Sequence, residues 1–92
     1  MIKIIHEKDE KRSAAYDGDK NIGESTYSES KNLWIIDHTF VEEEYGGQGI
    51  AGKLVAKLVE EARENDIKII PLCPFAEREF RNKPEYADVL SK

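Results

Sequence analysis

Three glycines, one cysteine and one histidine carry the chemistry that this chain offers. Gly47, Gly49 and Gly52 head a segment whose apolar positions, Ala51, Leu54, Val55, Leu58, Val59 and Ala62, recur at the period of a helix. A glycine-rich turn opening into a helix presents unpaired backbone N–H groups at the positive end of the helix dipole, an arrangement that holds a phosphate. Cys73 is the only cysteine. It closes an isoleucine-rich run and precedes Pro74 at an expected helix start, where a thiolate nucleophile is stabilised; a small buried hydrophobe is the plainer reading. His38 ends an apolar run and, as the residue type most often used for proton transfer, is a candidate general base. A strand histidine satisfied by backbone or solvent is its alternative.

The charges around the glycines run against the helix dipole. Lys53 and Lys57 lie near the helix start and Glu60, Glu61 and Glu64 near its end, which costs about 0.3–1 kcal/mol per charge near a terminus. An anion held at the N-terminus would account for Lys53. Lys57 reads equally as a partner of Glu61 on a solvated face. Glu42, Glu43 and Glu44 read as a solvated run, with a cluster facing a cationic amine as the other possibility. Tyr86 is either a proton donor or packing, and its spacing from Val89 and Leu90 favours packing. His6 and Trp34 are read as structural. No spacing of His, Cys, Asp and Glu suggests a metal, and no Ser-His-Asp arrangement is present.

The elements that must position these groups follow from pattern. Residues 2–7 read as a short isoleucine-rich strand and residues 13–16 as a second, weaker one. Residues 17–21, Asp-Gly-Asp-Lys-Asn, form a hairpin turn. A third strand over residues 22–28 puts Glu24, Thr26 and Ser28 on one face and Gly23, Ser25 and Tyr27 on the other, with one face wet. Residues 33–41, LWIIDHTFV, are the strongest strand signal and are expected at the centre. The helix behind the glycines should end near Asn65, a left-handed cap. Residues 67–72 form a fifth strand, parallel to the fourth because a whole helix separates them. Pro74 starts a short helix through Arg81, and Pro84 starts another. The fold expected is α+β, in the order β-β-β-β-α-β-α(-α): a four-stranded antiparallel meander finished by one βαβ crossover.

Composition sets the outer bounds. Ninety-two residues make one domain, residues 1–92, with one modest core. A net charge of −5 and a pI near 5.0 argue against general nucleic-acid binding. No apolar run approaches the roughly 20 residues that span a bilayer. A single cysteine permits no internal disulfide and fits a reducing compartment. A monomer in the cytoplasm is expected, with neither membrane nor nucleic acid as partner.

The glycine stretch fits more than one phosphate motif. Gly47, followed four residues on by Gly52 and Lys53, matches most of a P-loop, but Leu54 stands where a hydroxyl should hold Mg²⁺. Gly47-x-Gly49-x-x-Gly52 matches a dinucleotide fingerprint, which belongs early, between parallel strands. Here it follows an antiparallel meander. A structural glycine turn stays open.

Around this stretch the chain resembles the Gcn5-related N-acetyltransferases, and within them a short single-domain, acetyltransferase-like subfamily. The resemblance rests on His38-Thr39-Phe40-Val41, then Glu42 to Tyr45 leading into Gly46-Gly47-Gln48-Gly49-Ile50-Ala51. Residues 69–75, IIPLCPF, and residues 83–86, KPEY, follow in the family's order. It implies an acetyl-CoA-dependent transfer to an amine on a peptide, protein or polyamine, with coenzyme A as co-substrate and no metal. Backbone near Thr39, Phe40 and Val41 would meet the pantetheine arm. The loop amides of Gly46, Gly47, Gln48, Gly49, Ile50, Ala51 and Gly52, with Lys53, would cradle the pyrophosphate. Cys73 would be the suspected acyl acceptor and His38 the base. Two departures stand out. Gly46 replaces the Arg or Gln usual at the loop head, and only a few residues separate the first two strands where the larger family carries a helix pair. A module or sensor that binds acetyl-CoA without efficient transfer is the alternative.

Overall fold

The computed structural model describes residues 1–91. Five strands form one sheet in chain order: β1 (Ile2–Glu7), β2 (Arg12–Asp17), β3 (Lys20–Ser30), β4 (Leu33–Val41) and β5 (Lys68–Pro71). The first four are antiparallel neighbours, and β5 runs parallel to β4. Helix α1 (Ile50–Glu64) makes the crossover between β4 and β5, and α2 (Pro74–Asn82) follows β5. The expected meander and crossover are therefore present.

One face of the sheet is covered. Ile50, Leu54, Val55, Leu58, Val59 and Ala62 of α1 are buried; a fully buried Leu or Val contributes about 1.5–3 kcal/mol of transfer free energy. They pack in two clusters: Ile50 and Leu54 against Ala15 and Ile22, and the rest among Tyr27, Trp34, Ile36 and Ile69. Ala76 and Phe80 of α2 and Tyr86 and Val89 beyond it join the second cluster. Ser13 ties sheet to helix, its hydroxyl donating to the Leu54 carbonyl at 2.8 Å. The other face carries the row Glu7, Arg12, Thr26 and His38, and beside it Ile5, Ala14, Glu24 and Phe40. There Arg12 donates to Glu7 at 2.7 Å and to Glu24 at 2.8 Å.

Several local expectations change. The second, third and fifth strands run over Arg12–Asp17, Lys20–Ser30 and Lys68–Pro71 instead of the stretches expected. Asn65 is not left-handed (φ −106°); Asp66 takes that conformation at φ 61°. Asn65 instead caps with its side chain, donating to the Glu61 carbonyl at 2.8 Å. Pro84–Val89 winds as a 3₁₀ segment, and another such turn, Lys8–Glu10, is all that joins β1 to β2.

Candidate active site

The site begins where β4 and β5 part. Their pairing runs from Leu33 opposite Lys68 to Ile36 opposite Pro71. The next two amides, of Leu72 and Cys73, both donate to the Ile36 carbonyl, at 3.0 and 2.9 Å. The chain then turns into α2, with Pro74 at its first position and Cys73 as its N-cap. Residues 37–41 thus keep β3 on one side and have no strand on the other. An unpaired edge of this kind accepts an extended ligand.

A bulge sets which side chains face the cleft. Tyr27 pairs with Ile36, but the next residue back along β3, Thr26, pairs with His38, which leaves Asp37 as an extra residue. Hydroxyls of Thr26 and Ser28 donate to the Asp37 carboxylate at 2.7 and 3.0 Å and hold it on the uncovered face. Regular alternation from Trp34 and Ile36 would send His38 inward and Thr39 outward. The bulge reverses both. Thr39 now lies on the covered face, 3.0 Å from the Ser25 hydroxyl and 3.6 Å from Cys73 Sγ. Cys73 itself is only 7% exposed.

On the other side of the cleft stands the glycine loop. Glu43–Tyr45 forms a 3₁₀ turn. Tyr45 donates to Asp17 at 2.6 Å, which raises the phenol's pKa and lowers the carboxyl's. Lys20 approaches Glu42 at 3.3 Å and Glu44 at 3.1 Å, so these two carboxylates serve to hold the turn. Gly47 (φ 79°) and Gly49 (φ 75°) are left-handed, and the space their missing side chains would take is open. Gly49 is the N-cap of α1 and supplies no side-chain acceptor. The first-turn N–H groups are therefore free to bind an anion. Beside them a cavity of about 230 Å³ is lined by Val41, Tyr45, Gly46, Gly47, Ala51 and Phe75, among others.

The structure brings together much of what the sequence singled out. Val41, Gly46, Gly47, Gly49, Ile50, Ala51 and Gly52 line that cavity, and Gln48 is exposed within the loop. Ile50 also anchors the loop, buried against Ala15 and Ile22. Gly52 also lies beside α2: a Cβ there would sit 3.3 Å from Oε1 of Glu79, a side chain that can move aside. Glu79 pairs with Lys83 at 2.8 Å. Lys53 lies elsewhere, in a groove on the β1 side with Ile4, Ala56 and Lys57. Lys57 pairs with Glu60 and Glu61 at 3.1 and 3.5 Å.

His38 and Cys73 sit on opposite faces of the sheet. His38 is exposed, its ring 6.4 Å from that of Phe40 and nearly parallel to it. Phe40, 49% exposed, and Leu72, 67% exposed, are the large apolar side chains left open near the cleft. Tyr86 is buried against Phe80, ring centres 5.3 Å apart, and burial raises its pKa. Tyr45, Phe75 and Ser25 are parts of the site that the sequence does not mark as such. Phe75 was findable, one residue past a proline helix start. Ser25 was not, because nothing but the fold brings it to Thr39.

A sequence model of the family described as GCN5-related N-acetyl-transferase matches residues 12–89. Among solved structures, a protein from Staphylococcus aureus described as GCN5-like is 38% identical with a TM-score of 0.76. The match covers 97% of this chain and 87% of that one. A ribosomal-protein-alanine N-acetyltransferase from Brucella melitensis biovar Abortus 2308 shares the fold at 19% identity and a TM-score of 0.57, over 88% of this chain and 63% of its own. No curated protein matches the chain.

Proposed function

Because the chain belongs to the GCN5-related N-acetyltransferase family, we propose that it transfers an acetyl group from acetyl-CoA to an amine. The observation that carries this reading is the parting of β4 and β5 at Ile36, with the glycine loop on one side and Cys73 at the apex. The pyrophosphate lies against the amides of residues 47–52, where Gly47 and Gly49 leave room and α1 offers its uncapped first turn. The pantetheine arm runs along the unpaired edge of residues 39–41 and brings the thioester toward Thr39 and Cys73.

In the first step the Cys73 thiolate adds to the acetyl carbonyl carbon. The bond from that carbon to the coenzyme's sulfur breaks, and CoA leaves as a thiolate that takes up a proton. An amine then attacks the carbonyl carbon of acetyl-Cys73; the amide forms, the bond from that carbon to Sγ breaks, and the Cys73 thiolate is regenerated. The proton that the amine loses passes to solvent at the cleft, because His38, the sequence's candidate base, lies on the face of the sheet opposite Cys73. The open edge of the cleft, with Phe40 and Leu72 exposed beside it, suits an amine carried on a peptide, a protein or a polyamine.

Release of free CoA, measured with and without a panel of amines, tests the proposal. Amine-dependent release is the expected result. Tight acetyl-CoA binding that no amine accelerates would make the chain a binding module. Full transfer by Cys73→Ala would remove the covalent step and leave direct attack by the amine.

A further inference from the structure

Ser13 and Ser25 are fully enclosed polar side chains on the covered face, and a buried hydroxyl is costly unless it is hydrogen-bonded. Ser13 is accounted for by the Leu54 carbonyl. Ser25 has one side-chain partner among the described residues, the hydroxyl of Thr39, and Thr39 has in turn Cys73. These three groups form a row across β3, β4 and the end of β5.

In the neutral row the thiol is placed to donate to Thr39, and ionisation of Cys73 changes the count of hydrogens. With Cys73 as a thiol, three hydrogens (S–H, Thr39 O–H and Ser25 O–H) share two contacts, so one hydrogen has no acceptor within the row. Once the thiol proton has left to solvent, two hydrogens serve two contacts. Ser25 then donates to Thr39 Oγ1, and Thr39 turns its own hydrogen toward the sulfur. Every donor in the row is used only when sulfur is the acceptor.

We propose that Ser25 is a positioning residue, orienting the Thr39 hydroxyl as a hydrogen-bond donor to the thiolate of Cys73. This rests on the reading of Cys73 as the acyl acceptor. When CoA leaves and acetyl-Cys73 forms, the thioester sulfur accepts weakly, so the Thr39 hydrogen swings to the acetyl oxygen or back to Ser25. The hydroxyl pair therefore stabilises the nucleophile more than the acylated form.

The test is the rate of Cys73 alkylation by iodoacetamide as a function of pH, on the full chain. The single cysteine makes the readout unambiguous. Ser25→Ala should slow alkylation at pH 7 roughly fivefold and Thr39→Val roughly tenfold, as expected for losing hydrogen bonds to a charged group. Both profiles should move to higher pH and reach the wild-type plateau, and Thr39→Ser should restore the original profile. A Ser25→Ala profile superimposed on wild type, or one with a changed plateau and an unmoved midpoint, would overturn the proposal. If Ser25→Ala fails to fold by circular dichroism, Thr39→Val against Thr39→Ser decides alone. Because alkylation requires no acetyl-CoA, this outcome is separate from whether Cys73→Ala retains transfer.

Discussion

β4 is enclosed over its first half and open over its second. Trp34 is 2% exposed, stacked on Tyr27 with ring centres 4.1 Å apart, and its half of the strand has β3 on one side and β5 on the other. Phe40, six positions on, is 49% exposed beside an edge that no strand covers. The change happens at Asp37, where the bulge turns the side chains over and β5 departs. One strand thus acts first as the centre of the core and then as the wall of a cleft. The core half tolerates no loss of volume. The cleft half has no strand on its β5 side to pack against, and exposure there costs the core nothing.

Substitution in the two halves should separate these roles. The largest effect on stability is expected from Trp34→Ala, about 3–5 kcal/mol, which is a large part of the whole stability of a small domain. Phe40→Ala should cost under about 1 kcal/mol. Urea denaturation of both variants measures the contrast, and similar losses would erase it. Next in size is Asp37→Val, which removes the carboxylate that Thr26 and Ser28 hold and favours regular pairing of residue 37. With the bulge ironed out and no residue lost, Thr39 faces outward and His38 inward, and CoA affinity should fall roughly a hundredfold, the scale of a misplaced site. Calorimetric titration measures it, with circular dichroism to show that the sheet persists.

That bulge also marks the limit of what the sequence discloses. The alternation in β3, with Glu24, Thr26 and Ser28 on one face and Ser25 and Tyr27 on the other, was legible because polar and buried residues differ in kind. The glycine loop was legible because only glycine takes the φ of 79° and 75° at residues 47 and 49 without strain. In LWIIDHTFV no residue announces the slip. The Asp37 carboxylate is held by Thr26 and Ser28 of a neighbouring strand, a long-range condition that periodicity cannot register. The sequence offers both Cys73 and His38 as catalytic candidates; the fold places Thr39 and Ser25 beside Cys73 and leaves His38 on the other face. Lys53 was expected at the phosphate end by proximity in the chain. The helical turn carries it to the β1 side instead.

Smaller effects refine the comparison. Gly49→Val puts a β-branched residue at φ 75°, costing about 1–2 kcal/mol in stability. It should also weaken CoA binding at least tenfold while the enclosed half of β4 keeps its amide protection. Hydrogen exchange and titration together check this. The smallest effect concerns the uncovered face. A hydrogen bond from Tyr16, with Arg12 beside it, holds the Glu7 carboxyl below its ordinary value. A depressed folded pKa contributes stability above the unfolded value and loses it as pH falls through the folded one. Wild type should therefore lose about 0.5–1 kcal/mol from this group on acidification. Glu7→Gln should lack that component of the slope in thermal melts below about pH 5.

The central claim is that the second half of β4 and the glycine loop form one ligand cleft, and amide-resolved titration tests it most directly. CoA should shift residues 39–41 and 47–53 together and leave residues 33–36 unmoved. Pantetheine lacking the phosphates should shift 39–41 and leave the loop in place. Saturating CoA that leaves residues 47–53 unshifted, or that shifts the enclosed half of β4 instead, would contradict the account.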